Sequence, residues 1–320
     1  MNCFQTILIA AFVLALTINV IETQSVIISL QSDDTSKKDT SNKDKSTCII
    51  PDWVNTDPSY MAELMTNASM GLTDKVGDHE YQSLYFPYMS SMIRERYCDT
   101  RGKQNPNQVH VSSKRPKIRM LEIGLGCAPT GGMIRGQPGG SALAWRHLFG
   151  NQTDDFELHI MEFDGPCAEK WAASHKDIAI VHVGDASSEV DLKRVVNAAS
   201  PDGDPTPFDI IIDDASHINW HQIKTVETLI SALRLGGFYV IEDINSSCYN
   251  WRANVGAGTT QKTPQVGGTA GCMTTQGGEP TIFSKVIDWQ KRLLVKREPF
   301  KGVNHIDLHK EAVLLGKRVK

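Results

Sequence analysis

The sequence predicts a doubly wound α/β fold with a mostly parallel sheet, preceded by a helical N-terminal extension. Five short and almost uninterrupted apolar runs carry this prediction, because strands buried on both faces of a parallel sheet lack polar–apolar alternation. These runs are residues 118–124, 157–163, 178–184, 208–214 and 237–243. Segments with helical patterning separate the runs, at 141–149, 165–175, 189–199 and 219–235. Strands that alternate with helices in this way pair in parallel through crossover connections.

The first 50 residues predict a targeting segment and a tether outside the fold. Residues 7–21 are apolar and uncharged, shorter than the ~20 residues that span a bilayer and closer to a signal-peptide core. No basic residue precedes this run and no clear cleavage site follows it, so a buried N-terminal helix stays open as an alternative. Residues 31–47 carry four Asp and four Lys without a large apolar side chain, which is typical of a solvated tether. We therefore expect a signal peptide or signal anchor at 1–24, a disordered tether at 25–50, and entry into the secretory pathway.

Residues 51–117 predict the helical extension, and residues 118–320 the α/β domain. Apolar positions recur with helical spacing from Met61 to Met70 and from Tyr81 to Tyr97, followed by a polar loop at 99–117. Within the α/β domain, the Gly/Thr/Gln-rich segment 253–279 is typical of an active-site lid or a flexible loop. A helix over 281–295 and two strands near 304–308 and 312–316 would complete the sheet.

Composition limits the partners. The formal net charge is −4 and no basic block stands out, which argues against nucleic acid as a partner. A homo-oligomer is possible, and membrane contact is expected only through the N-terminal segment. Six cysteines beyond Cys3 permit disulfides in an oxidising compartment without assigning pairs, and no Cys spacing suits structural zinc. Glycosylation sequons, which fit a lumenal glycoprotein, occur at Asn67, Asn151 and Asn245.

Strand-end residues predict a nucleotide-type cofactor pocket in a Rossmann-like core. Glycines at the end of the first strand allow a ligand close to the backbone, and acids at the ends of the next strands can hold ribose hydroxyls and an adenine amino group. The GxGxxG run of nicotinamide enzymes and the phosphate loop are both absent. Each acid alone would be an ordinary strand-end residue, but together they indicate a pocket. The candidates are Glu122, Gly124, Gly126, Glu162, Asp164, Asp185 and Asp213.

A second group of acids predicts a metal site at the ends of the fourth and fifth strands. Asp214, Glu242 and Asp243 follow neighbouring strands of the predicted sheet, and clustered carboxylates repel unless a cation lies among them. Oxygen ligands of this kind suit Mg²⁺. The alternative is that one acid caps a helix while the others face water. His217 lies three residues after Asp214, where its imidazole could act as a general base on a metal-bound hydroxyl.

These residues resemble the metal-dependent macrolide-sugar O-methyltransferases of the demethylmacrocin type, and related fungal proteins, within the class I S-adenosylmethionine-dependent methyltransferases. The similar stretches within residues 72–250 are Thr73-Asp74-Lys75 with His79 and Tyr81, LEIGLGC, MEFDGPCAEKW, IIDDASHINWHQ and GGFYVIEDI. The resemblance implies S-adenosylmethionine and Mg²⁺ as cofactors, with Asp214, Glu242 and Asp243 as metal ligands and His217 as base. It also implies O-methyl transfer to a hydroxyl of a sugar-containing or other small-molecule natural product.

Two other hypotheses about the function stay open. Fold alone does not fix function, and related sequences include a protein named as a cephalosporin hydroxylase, so another reaction on this fold is one alternative. The other is a non-enzymatic secreted or membrane-tethered protein that keeps the fold. The intact acid cluster and His217 argue against the second, because a pure binding protein needs neither.

Overall fold

A computed structural model describes residues 50–98, 117–127, 138–150, 156–200, 203–248, 271–274 and 279–317. The predicted signal segment, almost all of the tether, the 99–116 part of the polar loop, Asn151 and most of 253–279 lie outside these residues. Within the described part of the chain, no helix is long and apolar enough to cross a membrane.

The sheet has seven strands in the order β3-β2-β1-β4-β5-β7-β6. β1 to β5 pair in parallel, while β7 is antiparallel to both β5 and β6. The predicted doubly wound, mostly parallel fold is therefore confirmed, including the two short final strands. The strand order reverses between β1 and β4, and the carboxyl ends of strands at such a switch point border a ligand crevice. The strands are β1 Ile118–Ile123, β2 Phe156–Glu162, β3 Ile180–Val183, β4 Phe208–Asp213, β5 Leu233–Ile241, β6 His305–Leu308 and β7 Val313–Gly316.

Helices cover both faces of the sheet. Side chains of the extension and the early helices share one hydrophobic core with one face of the strands, and the later helices form a second core on the other face. Trp53 ties the extension to the α/β domain through an indole N–H that donates to Leu148 O at 2.8 Å. The helices are α1 Pro58–Ala68, α2 Gln82–Cys98, α3 Gly140–Phe149, α4 Gly165–Ser174, α5 Glu189–Ala198, α6 Asn219–Leu229 and α7 Ile282–Lys291.

The helix expected over 219–235 is shorter than the sequence pattern indicates. It ends at Leu229, a 3₁₀ turn follows, and β5 already begins at Leu233. Gly236 has φ +86°, and a Cβ at Gly237 would lie 2.5 Å from a backbone carbonyl oxygen. β5 therefore begins before the predicted run at 237–243, through an irregular part that contains Gly236 and Gly237, and the helix ends correspondingly earlier.

Candidate functional site

A buried lysine lies among the acidic residues at the ends of β1, β4 and β5. Lys75 belongs to the connection between α1 and α2, and it is 1% exposed. Its Nζ lies 2.7 Å from Asp214 Oδ2, 2.7 and 2.9 Å from the two Glu242 oxygens, and 3.4 Å from Glu122 Oε1. Burial opposes the charge, but the three carboxylates hold the pKa of Lys75 well above its usual range. The direction of this shift favours the ammonium form of Lys75 within this cluster.

Glu242 is enclosed by hydrogen-bond donors. The Tyr85 hydroxyl, from α2, donates to Glu242 Oε1, and the Gln222 side chain donates to the Glu242 backbone oxygen at 2.8 Å. Burial and the neighbouring carboxylate raise the pKa of Tyr85 well above its usual range, so its hydroxyl stays a donor. Glu242 thus faces Lys75 and Tyr85 in this structure, and its role as a metal ligand stays a prediction.

Asp214, His217 and Asp243 come together in a way that suits a divalent cation. His217 Nε2 lies 3.6 Å from Asp214 Oδ1 and 3.3 Å from Asp243 Oδ2. One potential ligand atom from each residue lies within 4.8 Å of the others, a spacing that one ion can bridge. Mg²⁺ in proteins usually takes one or two carboxylates and keeps several waters. The two carboxylates fit this requirement, and the imidazole lies beside the position the ion would take.

Two residues of this group have strained backbones. His217 and Asp243 both have φ +52°, a left-handed backbone conformation that residues other than glycine rarely adopt. Such strain costs on the order of 1–3 kcal/mol and persists where the surrounding structure enforces it, often at functional sites. The same backbone conformation occurs outside this group at Met70, Glu80, Arg297 and Lys301, so it accompanies the site without identifying it.

The N-terminal extension also holds the other oxygen of Asp243. The Tyr81 hydroxyl donates to Asp243 Oδ1 at 2.7 Å, and His79 Nδ1 lies 3.8 Å from the same oxygen and 2.5 Å from Glu311 Oε2. Burial lowers the pKa of His79, but the hydrogen bond to Glu311 and the charge of Asp243 outweigh it and raise the pKa. Asp243 is therefore fixed on one side by the extension and faces His217 with its other oxygen.

The glycines after β1 have different structural roles. Gly124 has φ +108°, and a Cβ there would lie 2.2 Å from the Asp214 carbonyl oxygen. Gly126 has φ +85°, and among the described residues the atom nearest to its Cβ would be one of Pro138 at 3.9 Å. Gly124 thus allows β1 and β4 to approach closely, while Gly126 is required by the positive φ of the turn.

Glu162, at the end of β2, holds the glycine turn in place. Its two carboxylate oxygens accept the backbone N–H groups of Leu125 at 2.8 Å and Asp164 at 2.9 Å. An ionised carboxylate can accept about four hydrogen bonds, so these contacts leave capacity for a ribose hydroxyl. The predicted cofactor contact of Glu162 stays a prediction.

The other predicted cofactor residues also have partners within the protein. The Asp164 side chain caps α4 by accepting a backbone N–H at 3.0 Å, and Asp185 accepts the N–H and hydroxyl of Ser187 at 2.8 and 2.7 Å. The Tyr239 hydroxyl donates to Asp213 at 3.3 Å, and burial raises the pKa of Asp213 to about 7. Glu122 belongs to the Lys75 cluster.

Four cysteines form two disulfides among the described residues. Cys127, after the glycine turn, pairs with Cys167 in the first turn of α4. Cys248 pairs with Cys272 after the Asp243 strand end. The even cysteine count permitted such bonds, but only the fold assigns the pairs.

Sequence reasoning missed the residues that organise the acids. Lys75 occurs in the sequence only as part of the Thr73-Asp74-Lys75 stretch that resembles the methyltransferase family. Tyr85 and Glu311 belong to no motif that pointed to the site. The contacts of Lys75 reach Asp214 and Glu242 across 139 and 167 residues, a separation that no local pattern reports.

Comparison with known proteins finds similar sugar O-methyltransferases, while no protein-family model matches the sequence. Over 131 residues the chain is 34% identical to an 8-demethyl-8-(2-methoxy-alpha-L-rhamnosyl)-tetracenomycin-C 3'-O-methyltransferase of Streptomyces olivaceus, covering 40% of this chain and 28% of that protein. Over 196 residues it is 28% identical to the mycinamicin VI 2''-O-methyltransferase of Micromonospora griseorubida, covering 61% and 40%. Over 131 residues it is 34% identical to the demethylmacrocin O-methyltransferase of Streptomyces fradiae, covering 41% and 28%.

The matched segments therefore span less than half of each of these relatives. Among solved structures, the chain is similar to the MycE methyltransferase of the mycinamycin pathway in complex with Mg, SAH and mycinamycin VI. The TM-score is 0.53 at 20% identity, and the likeness covers 81% of this chain and 53% of that one. This likeness supports the fold and adds nothing about individual site residues.

Proposed function

We propose that the protein is an S-adenosylmethionine-dependent, divalent-cation-assisted O-methyltransferase that acts on a hydroxyl of a sugar-containing or other small-molecule natural product. The observation that carries this proposal is the position of His217 between Asp214 and Asp243, with its Nε2 within 3.6 Å of a carboxylate oxygen of each. An imidazole beside two metal-binding carboxylates suits deprotonation of a hydroxyl. The sugar O-methyltransferases to which the chain is similar support the same activity.

The cofactor would bind at the crevice bordered by the carboxyl ends of β1, β2 and β3. Gly126 lies in the turn after the first strand, and Glu162 and Asp185 offer acceptors for ribose and adenine groups at the next two strand ends. Bound S-adenosylmethionine supplies the methyl group. The glycine turn also adjoins β4, because Gly124 packs against the backbone of Asp214, which brings the cofactor crevice next to the metal group.

In this proposal the protein's own groups orient the acceptor and take its proton. A divalent cation held by Asp214 and Asp243, with Glu242 as the third predicted ligand, would lower the pKa of an alcohol hydroxyl. His217 Nε2 faces the same carboxylate oxygens, so it is placed to accept the hydroxyl proton during methyl transfer. Tyr81 and His79 keep Asp243 in position throughout.

We further propose that the protein works in the secretory pathway, either secreted or anchored by the N-terminal segment. The two disulfides support this location, because such bonds persist in oxidising compartments and are rare in the cytosol. Detection of the native protein in a membrane or culture-medium fraction, with its disulfides intact, would test it. Recovery only from the cytosol with free thiols would contradict it.

Calorimetric titration with S-adenosylhomocysteine, followed by methyl-transfer assays on deoxysugar-bearing acceptors with and without Mg²⁺, tests the activity. His217→Asn should lower turnover by ~10²–10⁴-fold while leaving S-adenosylhomocysteine affinity unchanged. His147→Asn, on the exposed face of α3, is the matched control and should be unaffected. Failure of the folded protein to bind S-adenosylhomocysteine would refute the proposed function, and full turnover by His217→Asn would refute the role of the base.

A further inference from the structure

Lys75 is a buried charged group for which the proposed reaction provides no role. Its side chain comes from the N-terminal extension, yet its ammonium lies at the metal site, 2.7 Å from Asp214 Oδ2 and 2.7 Å from Glu242 Oε2. Removing a lysine from water is costly unless its charge is compensated. The compensation here comes from carboxylates that the sequence predicts as metal ligands.

The two oxygens of Asp214 have different neighbours. Oδ2 accepts from Lys75, whereas Oδ1 faces His217 at 3.6 Å. Asp214 is therefore shared between the ammonium and the position that suits a divalent ion. Glu242 gives both of its oxygens to the ammonium.

We propose that Lys75 is a positioning residue that acts as a resident cation of the metal site and competes with the divalent ion for Asp214 and Glu242. This inference rests on the proposed function, because it concerns the metal that assists methyl transfer. In the absence of the divalent ion, the ammonium keeps the carboxylates together and prevents their mutual repulsion. When the ion binds, it shares these carboxylates with a like charge a few ångströms away, which weakens its binding. Lys75 thus sets how tightly the site holds metal.

Replacing Lys75 by a neutral side chain of similar length tests the competition. Lys75→Met removes the charge and frees the Glu242 oxygens, so we expect Mn²⁺ and Mg²⁺ to bind about tenfold more tightly or better in calorimetric titration. The variant should be less stable than the wild type without metal, and divalent ions should raise its Tm more than that of the wild type. A merely structural lysine would cause the loss of stability without the gain in affinity.

Lys317→Met is the matched control. Lys317 is also buried, at 8% exposure, but its Nζ donates to the Leu233 carbonyl at the start of β5, the opposite end of that strand from Glu242. This variant should be destabilised without any change in divalent affinity. Lys75→Gln, which keeps a donor but no charge, should bind divalent ions more tightly, as Lys75→Met does.

Three results would overturn the proposal. The first is a folded Lys75→Met or Lys75→Gln protein with unchanged or weaker divalent affinity. The second is failure of both variants to fold even in saturating Mn²⁺, because the ion should replace the ammonium. The third is a wild-type protein that binds no divalent ion, which would also remove the metal from the proposed function. The first two outcomes, with metal binding by the wild type intact, leave the proposed function standing.

Discussion

Replacing Gly124 by alanine should lower the stability of the fold and also disturb the predicted cofactor crevice and the predicted metal site. The backbone φ of +108° is unfavourable for any side chain, and the new Cβ would lie 2.2 Å from the Asp214 carbonyl oxygen. The conformational strain costs about 1–2 kcal/mol, and forcing the strand ends apart adds about 1–3 kcal/mol. We therefore expect Gly124→Ala to lower the free energy of unfolding by about 2–5 kcal/mol.

Gly126→Ala separates the clash from the strain. Gly126 has a similar φ of +85°, but among the described residues its Cβ would meet its nearest atom at 3.9 Å, so we expect only the ~1–2 kcal/mol of strain. Urea unfolding gives the free energy of unfolding of each variant. Calorimetric titration with Mn²⁺ measures the metal affinity, which depends on the position of Asp214. Gly124→Ala should weaken Mn²⁺ binding because the Asp214 backbone must move, whereas Gly126→Ala should not. Equal stability losses, or normal Mn²⁺ affinity in Gly124→Ala, would refute the close packing of these two strand ends.

Three further predictions concern other parts of the molecule. Replacing Cys127 and Cys167 by serines removes a disulfide with a sequence separation of 40, so urea unfolding should show a free energy of unfolding lower by up to about 4 kcal/mol, and S-adenosylhomocysteine should bind more weakly. Unchanged stability and affinity would contradict a constraint on the glycine turn. Burial lowers the pKa of His182 from 6.5 to about 4, so protonation favours the unfolded chain and the free energy of unfolding should fall by up to about 3 kcal/mol as the pH drops from ~6.5 towards 4. A His182→Gln variant whose stability keeps the full dependence on acid would count against this. Asn245 lies in a turn between buried Ile244 and buried Ser246, so mass spectrometry of protein expressed through the secretory pathway should find it unglycosylated.

Local sequence patterns were sufficient to predict the sheet but not the cluster at its edge. Uninterrupted apolar runs give the strands because each is buried on both faces, and β1 and β4 begin and end within a residue of the expected positions. The helix over 219–235 was predicted too long because apolar residues continue past Leu229 to Leu235, whereas a 3₁₀ turn follows Leu229 and β5 begins at Leu233. An apolar run does not by itself show where a helix ends and a buried strand begins.

The candidate site likewise contains features that local sequence patterns predict and features that they do not. Strand-end acids are predictable because parallel strands bring their carboxyl ends to one edge, and Asp214, His217 and Asp243 do come together. The ion pairs of Lys75 are not predictable, since they depend on how the extension packs over the sheet. The left-handed backbone of His217 is equally invisible, because neither residue type nor spacing encodes a conformation that the tertiary structure imposes.

The origin of the Lys75 charge has a consequence for how this protein can be divided. Among the described residues, the α/β part supplies acids to the Lys75 cluster, and the neutralising cation comes from the segment between α1 and α2. A fragment without the extension would also expose the face that Tyr85 and its neighbours cover. We therefore expect the smallest unit able to fold by itself to include the extension. For the same reason, an extension transplanted from a relative would have to bring a cation to this one point.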